Sequence, residues 1–398
     1  MTEVGVIPAD WEIADLNNKT SSAIYGVSAS AISYDGKHKY IRITDIDDVT
    51  GDFVPKPLVS PSFFQTKHIV HENDLLIART GATVGKTYVY KKTDGNLIFA
   101  GFLMRISIKQ ANAKYIFFQT QTPYYKKWVI SESARTGQPG LNIQQLLSLI
   151  LPFPPIPEQG RIASVLSNID TLIGSLDKLI AKKRVIRQGA MQQLLTGKTR
   201  LNGFCEKWID KKLGEVANTS SGGTPYRSIN QYYEGNIKWF TTGELNDCLL
   251  YDSIEHISKE ALSASSAKIF PAYTLLMAMY GATIGKLGIL TEPSATNQAC
   301  CAIFCHDIDI NFLFYLLLLN RNSIIEKGSG AGQSNINQNI VKELDLFIPE
   351  DKNEQRAIAR ILTNMDKEIA SLQTEKEKYL KIKQGMMQQL LTGKIRLI

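Results

Sequence analysis

The sequence has little cysteine, and all of it lies in the second half. Five residues among 398 are cysteines: Cys205, Cys248, Cys300, Cys301 and Cys305. An odd number confined to one half of the chain argues against a disulfide framework. Cys300, Cys301, Cys305 and His306 could suggest a metal site, but no second group of ligands completes a tetrahedral set. We therefore favour a buried strand for this segment and predict that the chain binds no metal and no cofactor.

Long hydrophobic runs are also missing. The longest, residues 312–319, is far shorter than the roughly 20 apolar residues that span a bilayer. We predict a core helix there. Glu3 and Asp10 interrupt any cleavable signal pattern at the N-terminus. We expect a cytoplasmic protein with no membrane partner.

Catalytic motifs are absent from the sequence. No metalloprotease helix, nucleophile elbow or methyltransferase Asn/Asp-Pro-Pro-aromatic motif occurs. Gly81-x-x-x-Gly85-Lys86 has three residues between its glycines where a P-loop needs four, and its second copy has Leu287 where a magnesium-binding hydroxyl is required. The sequence predicts a chain that is not itself an enzyme.

What the sequence does contain is a long internal repeat. Residues 158–201 return without a gap as residues 354–397, at an offset of 196. Such self-similarity means that one structural unit has been used twice. The function should therefore need two equivalent tasks performed at once.

Both repeated segments read as long helices. Apolar residues follow alternating steps of three and four, which is the pattern of a coiled-coil seam, broken by Lys183 and Arg187 in the first copy and by Lys376 and Lys383 in the second. Each helix is followed by a glycine suited to a left-handed C-cap, Gly197 or Gly393. The shared phase and shared ends favour packing of the two helices against each other over two unrelated amphipathic helices.

The segments before each helix match more loosely. Residues 75–86 parallel residues 275–286, both ending in Gly-Lys. These regions mix short strand patterns and Gly-rich turns with one later helix, at about residues 113–131 and 311–325. A proline-rich stretch, residues 151–157, separates the first globule from its helix. We place the domains at residues 1–153, 154–200, 201–349 and 350–398.

Lys86 and Lys286 end the two Gly-rich turns. A simple strand–turn–strand connection explains the pattern, and so does a turn whose amides and lysine approach a phosphate backbone. Because both lysines are present while their surroundings differ, we slightly favour phosphate contact.

Polar loops follow in each half. The first contains Arg135, Gln138 and Asn142, and the second Gln333 and Asn335. Arg, Gln and Asn can pair bidentately with guanine or adenine, but they suit solvated loops equally well.

Charge alone does not decide the partner. The formal net charge is +7, yet residues 1–150 carry 16 basic against 13 acidic side chains and residues 201–350 carry 11 against 16. The excess comes from the repeated helices, and the acidic second globule argues mildly against nucleic-acid binding.

Taken together, these residues resemble the specificity subunit of type I restriction–modification systems. The matching pieces are Ser221-Gly-Gly-Thr-Pro225, both copies of Gly-Ala-Thr-x-Gly-Lys, Glu-Gln at the start of each helix and Gln-Leu-Leu-Thr-Gly-Lys at its end. The resemblance implies an α+β fold with two β-rich target recognition domains, separated by two long helices packed as an antiparallel coiled coil with pseudo-twofold symmetry. It also implies that double-stranded DNA, two methyltransferase subunits and two restriction motor–nuclease subunits are the partners.

If the chain is such a specificity subunit, its DNA contacts come from the turns and loops of both globules. The predicted positions are Lys37, Arg79, Thr80, Thr83, Lys86, Arg135, Gln138, Asn142, Thr224, Arg227, Tyr280, Thr283, Lys286, Gln333, Asn335 and Asn337. The lysines should contact phosphate, and the amide side chains should contact bases. Two other hypotheses remain: a coiled-coil adaptor that joins proteins without touching DNA, and an enzyme whose Gly-Lys turns bind nucleotides.

Overall fold

The contacts of the molecule divide the chain into two units of similar construction. The structure, a computed structural model, describes residues 6–48, 50–134, 138–328 and 335–398. Unit 1 consists of Met1–Lys178 and Gln373–Ile398, and unit 2 of Leu179–Leu372. Within the described residues, no helix is long and apolar enough to cross a membrane.

Unit 1 begins with a β-rich globule. Its strands are β1 (Glu12–Asp15), β2 (Thr20–Tyr25), β3 (Ala31–Ser33), β4 (Lys39–Ile41), β5 (Val59–Pro61), β6 (Asp74–Ala78), β7 (Thr87–Val89), β8 (Leu97–Phe99), β9 (Leu103–Ile108) and β10 (Ile150–Phe153). Its helices are α1 (Ala113–Gln119), α2 (Pro123–Ser133), α3 (Ile143–Leu147) and the first part of α4 (Ile156–Leu194). The central antiparallel sheet has the order β2-β9-β6-β7, and β4 pairs with β8 in parallel.

Unit 2 repeats this plan. Its strands are β11 (Trp208–Lys212), β12 (Ala217–Ser221), β13 (Ile237–Phe240), β14 (Cys248–Leu250), β15 (Glu255–Ile257), β16 (Ile269–Phe270), β17 (Leu275–Ala278), β18 (Leu287–Leu290), β19 (Ser294–Thr296), β20 (Cys300–Cys305) and β21 (Asp345–Pro349). Its helices are α5 (Leu213–Val216), α6 (Lys259–Ser263), α7 (Ile310–Leu319), α8 (Arg321–Gly328), α9 (Gln338–Lys342) and the first part of α10 (Lys352–Leu390).

The central sheets of the two units have the same topology. The order β12-β20-β17-β18 in unit 2 corresponds strand for strand to β2-β9-β6-β7, with β14 added at the edge. β13 pairs with β19 in parallel, as β4 does with β8. The duplication read from the helices therefore extends through both globules, even where their sequences differ.

Each unit contains a segment of both long helices, and these segments run antiparallel. In unit 1, Asp177 pairs with Lys376 at 2.6 Å, and Asp170 pairs with Lys383 at 2.7 Å. The predicted antiparallel pairing is confirmed. Gly197 and Gly393 both adopt φ of 69°, as predicted for the residue that ends each helix.

The charged residues that interrupt the apolar pattern lie in the seam and are neutralised there. In unit 2, Arg187 pairs with Asp366 at 2.8 Å and Lys183 with Glu368 at 2.6 Å. The Arg187–Asp366 pair corresponds to Lys383–Asp170 in unit 1, because both partners are shifted by 196 residues. Each basic residue that interrupts the pattern thus pairs with an acidic residue of the other helix. The duplication repeats one of these pairs.

A second pair of equivalent contacts joins the start of one long helix to the segment that follows the other. In unit 1, the buried carboxylate of Glu158 accepts hydrogen bonds from Arg396 Nε and Nη2 at 2.8 and 2.7 Å. In unit 2, Glu354 accepts from Arg200 Nε and Nη2 at 2.6 and 2.7 Å. The bidentate bond from Arg396 holds the pKa of Glu158 below its ordinary value.

The glutamine after each glutamate ties the globule to its helix. Gln159 accepts from the amide of Asn112 at 2.9 Å and donates to the carbonyl of Pro154 at 2.7 Å. Gln355 accepts from the amide of Asp309 at 2.8 Å and donates to Pro349 at 2.9 Å. Asn112 and Asp309 are the N-caps of α1 and α7. We call these glutamate and glutamine contacts the frame contacts.

Two predictions about the globules have different outcomes. The single later helix expected in each globule is wrong: residues 113–131 contain α1 and α2, and residues 311–325 contain α7 and α8. A cap interrupts each pair, because Thr122 Oγ1 accepts from the amide of Tyr125 and Asn320 ends α7. The buried strand expected for the cysteines is confirmed, since Cys300 and Cys301 lie in β20, and burial raises the pKa of Cys301 to about 12.

Candidate nucleic-acid interface

The Gly-rich turn of unit 1 is a rigid connection between β6 and β7. The amide of Ala78 donates to the carbonyl of Lys86 at 2.8 Å, and the amide of Gly85 donates back to Ala78 at 2.9 Å. Gly81 and Gly85 have φ of 85° and 82°, which side-chain-bearing residues rarely adopt. A Cβ at Gly85 would also lie 2.7 Å from the side chain of Val129. This position therefore requires glycine on two grounds.

Unit 2 contains the same turn between β17 and β18. Ala278 donates to Lys286 and Gly285 donates to Ala278, each at 2.9 Å, and Gly281 and Gly285 have φ of 71° and 74°. The turn geometry is therefore common to both units although the side chains around it differ.

The hydrogen bonds within the turn limit what its amides can do. In unit 1 the amides of Val84, Gly85 and Lys86 donate to carbonyls of the turn, and that of Gly81 donates to Pro139. These amides are not available to a phosphate. The lysine side chain is a further group of this turn that can contact phosphate.

The two lysines have different partners. The ammonium of Lys86 lies 2.5 Å from a carboxylate oxygen of Asp48, so its charge is already balanced. Lys286 donates to the neutral side-chain oxygen of Asn246 at 3.1 Å. Lys286 therefore presents more uncompensated positive charge than Lys86.

Each turn is joined to the polar loop of its own unit by a β-bridge. Thr80 bridges with Gly140 in unit 1, and Tyr280 bridges with Asn335 in unit 2. Gln138 lies beside the turn, because a Cβ at Gly81 would be 3.5 Å from its Nε2. The structure thus brings predicted positions that are distant in sequence together at one place in each unit.

Two of the predicted asparagines cap short helices. Asn142 accepts from the amide of Gln145 at 2.8 Å at the start of α3, and Asn337 accepts from the amide of Ile340 at 3.0 Å at the start of α9. Their side-chain oxygens stabilise helix starts. Asn335 and Asn337 are both exposed, but the side-chain oxygen of Asn337 is engaged by the cap.

The remaining predicted residues of unit 2 have partners within the globule. Arg227 forms an ion pair with Glu255, with Nη2 2.9 Å from Oε2, and its guanidinium stacks on Tyr233. Thr224 donates to Gln298, and Thr283 donates to the carbonyl of Tyr280 at 3.3 Å. The bond from Arg227 lowers the pKa of Glu255.

Three more of the predicted DNA-contact residues lie in unit 1. Lys37 lies in the connection between β3 and β4 with an exposed side chain, while Thr83 is half-buried in the turn. Arg79 precedes Thr80 and stacks its guanidinium 4.5 Å from the ring centre of Tyr25. Arg135 and Gln333 lie outside the described residues.

Two aromatic residues beside the unit 1 turn were missed from the sequence. Tyr25 ends β2, and Phe102 lies in the turn before β9, where its carbonyl accepts from the amide of Arg79 at 3.0 Å. Their side chains are 39% and 65% exposed. The sequence carries no signal for this cluster, because its members come from separate strands and follow no shared period.

Among the described residues, no group of three or more His, Cys, Asp or Glu side chains is arranged to hold a metal ion. The fold and the site together define an internally duplicated protein whose two units present different side chains around the same turn and loop.

Comparison with known proteins places this duplicated chain in a family. The family model described as the type I restriction modification DNA specificity domain matches residues 10–182 and again residues 205–381. Because the matches cover most of the chain, it belongs to the type I restriction–modification DNA specificity family.

Relatives and solved structures agree with this assignment. The type I restriction enzyme MjaVIII specificity subunit of Methanocaldococcus jannaschii is 25% identical over 416 aligned positions, which cover 98% of this chain and 94% of the relative. The EcoR124I/EcoR124II specificity subunit of Escherichia coli is 26% identical over 54% of this chain and 55% of its own length. The S subunit of a type I restriction–modification system from M. genitalium has the same fold, with a TM-score of 0.67 and 16% identity over 98% of this chain and 99% of that one.

Proposed function

We propose that this chain is the DNA-recognition subunit of a type I restriction–modification complex. Each unit reads one half of a bipartite target in double-stranded DNA. The chain itself performs no chemistry and binds no cofactor. Methylation and cleavage are carried out by partner subunits in the cytoplasm.

The observation that carries this proposal is the combination of a constant turn with variable side chains. The backbone bonds of residues 78–86 recur in residues 278–286. At two equivalent positions, however, the side chains differ: unit 1 has the half-buried Arg79 and Thr80, where unit 2 has the buried Met279 and the exposed Tyr280. A common scaffold with different contact residues is what two readers of different half-sites need, since base edges are distinguished by side-chain donors and acceptors.

Internal symmetry supports a pair of equivalent partners. The frame contacts and the Asp170–Lys383 and Asp366–Arg187 pairs give both units the same helical framework. A surface that is repeated within one chain can bind two copies of one partner. In this proposal two methyltransferase subunits dock there, and two restriction motor–nuclease subunits join the assembly.

Linkage of two readers in one chain also explains why each half can bind weakly. When one unit is bound, the other is held at a high effective concentration near the DNA. The acidic balance of the second globule therefore does not prevent it from contributing to recognition. A single chain with unlike units also frees the target from the palindromic symmetry that a homodimer imposes.

Methylation mapping of the host genome tests the proposal. We expect deletion of the chain to remove one bipartite methylation motif and re-expression to restore it. An unchanged methylation pattern, with the chain and its partner subunits expressed, would contradict the proposal and favour a coiled-coil adaptor without DNA readout. Saturable binding of ATP or GTP to the full chain would instead support the nucleotide-binding alternative.

A further inference from the structure

The cluster formed by the half-buried Arg79 and the exposed Tyr25 and Phe102 in unit 1 has no counterpart of the same chemistry in unit 2. Met279 is equivalent to Arg79, and Ala299 is equivalent to Phe102, because the amide of Met279 donates to the carbonyl of Ala299 at 2.9 Å. Whatever this cluster does is specific to unit 1. It is therefore a candidate for discrimination between sequences rather than for a task shared by both units.

Arg79 differs from the other arginines of the two globules. Among the described residues, the remaining globule arginines lie against carboxylates: Arg42 with Asp45, Arg105 with Asp74, Arg227 with Glu255 and Arg321 with Asp247. No carboxylate of the described residues is within 4.0 Å of the Arg79 guanidinium. Its charge is left available to a ligand.

The backbone of Arg79 is held on both sides. Its amide donates to Phe102, and its carbonyl accepts from the amide of Leu141 at 2.8 Å. Its guanidinium packs on the Tyr25 ring, and the Tyr25 hydroxyl in turn accepts from the amide of Ile143 at 3.3 Å. Stacking on an aromatic ring restricts the guanidinium while leaving its edge free to donate hydrogen bonds.

Backbone hydrogen bonds also hold the turn that contains Phe102. It lies in a tight turn closed by the amide of Leu103 donating to Ala100 at 2.8 Å, and Gly101 donates to Val27 at 2.8 Å. A Cβ at Gly101 would approach Ser28 Oγ to 2.7 Å, so the turn is packed closely against its neighbour. Covering the Phe102 side chain, which is 65% exposed, therefore orders the ring but not the backbone of the turn, which is already held by these bonds.

We infer that Arg79 reads a guanine in the major groove of the unit 1 half-site and that Phe102 packs against the neighbouring thymine methyl group. Arginine pairs bidentately with guanine O6 and N7, and apolar side chains contact the thymine methyl group. Tyr25 is a positioning residue, because it acts through Arg79. Unit 2 has Met279 and Ala299 at these places, so this pair of contacts is confined to unit 1. This inference rests on the proposed function.

The test compares charge-preserving and charge-removing variants of the full chain. The wild-type motif is first mapped by methylation sequencing, and duplexes carrying that motif or single substitutions of it are then used in binding assays. Arg79→Lys keeps the positive charge but loses the bidentate fork. We expect it to bind non-specific DNA as the wild type does while discrimination at one guanine falls by about 5- to 150-fold.

Phe102→Ala should relax the preference at the adjacent base pair. Tyr25→Ala should weaken the Arg79-dependent preference, and Tyr25→Phe, which keeps the ring, should retain most of it. Ile130→Ala, an exposed apolar truncation on α2, is the matched control and should change neither preference. The preference at the unit 2 half-site should be unchanged in every variant, which controls for effects outside unit 1.

Full discrimination by Arg79→Lys would overturn the inference and assign Arg79 to phosphate contact. Uniform loss of affinity for all sequences in Arg79→Ala, with discrimination unchanged, would overturn it as well. These outcomes are distinguishable from failure of the proposed function, in which deletion of the wild-type chain leaves host methylation unchanged.

Discussion

Replacing Gln159 with leucine perturbs the link between the unit 1 globule and its helical framework. The Gln159 side chain is 2% exposed, and both ends of its amide are hydrogen-bonded. Leucine removes both bonds. The buried carbonyl of Pro154 then loses its donor, at a cost of about 1–3 kcal/mol, and the partly exposed amide of Asn112 loses its acceptor, at about 1 kcal/mol. We expect unit 1 to be destabilised by about 2–4 kcal/mol.

Hydrogen exchange measures this loss within each unit. In amides of α1 whose exchange requires opening of unit 1, protection should fall by about 30- to 700-fold, since about 1.4 kcal/mol corresponds to a factor of ten. Gln355→Leu is the matched control, because Gln355 makes the same two contacts in unit 2. It should lower protection in α7 and leave α1 unchanged.

Two results would refute this reasoning. A change of less than threefold in α1 would mean that the frame contact is energetically unimportant. Equal loss of protection in α1 and α7 from Gln159→Leu alone would mean that the contact does not act within its own unit.

Three further predictions follow from the charges and packing of the described residues. In DNA-binding titrations at several salt concentrations, Lys286→Ala should reduce the slope of the logarithm of the association constant against log salt by about 1. Lys86→Ala should reduce it by less, because Asp48 already balances the charge of Lys86. Equal slopes for the two variants would contradict this. Two lysine ammonium groups lower the pKa of Asp345 from 3.8 to about 2. The stability that the Asp345 carboxylate contributes is therefore present above pH 4 and is lost as pH falls towards 2. Asp345→Asn should lose less stability than the wild type over this pH range, and the same dependence of unfolding on pH in both proteins would refute the prediction. Leu166→Ala truncates a fully buried side chain and should lower the free energy of unfolding, measured by chemical denaturation, by about 2–5 kcal/mol. An effect below 1 kcal/mol would contradict the burial of Leu166 in the core.

The framework could be predicted from the sequence because it is periodic and repeated. The seam of α4 and α10 follows a heptad pattern, and the 196-residue offset shows that the pattern occurs twice. The acidic partners of Lys383 and Arg187 could not be assigned in advance, since a periodic pattern does not tell which acid lies across the seam. The duplicated globules were predicted in outline, but the caps that divide α1 from α2 and α7 from α8 were missed.

The interface could be predicted only where residues are close in sequence. The Gly turns were recognised from their motif. Asn142 was predicted only as a base contact, although Asn-x-x-Gln is a capping-box pattern, and in the structure each of these side chains accepts from the other's backbone amide. Tyr25 ends β2 and Phe102 lies in the turn before β9, and only the pairing of β2 with β9 brings these distant segments together. Their proximity to Arg79 depends on tertiary pairing, which composition and local pattern do not determine.

Exchange of one reader tests the central claim most directly. Residues 1–150, which end at the start of β10, are replaced by the corresponding segment of another member of the family, and the methylated motif is mapped in a host that supplies the partner subunits. One half of the motif should change and the other half should stay the same. If both halves changed together, or if neither did in an active complex, the assignment of one half-site to each unit would be contradicted.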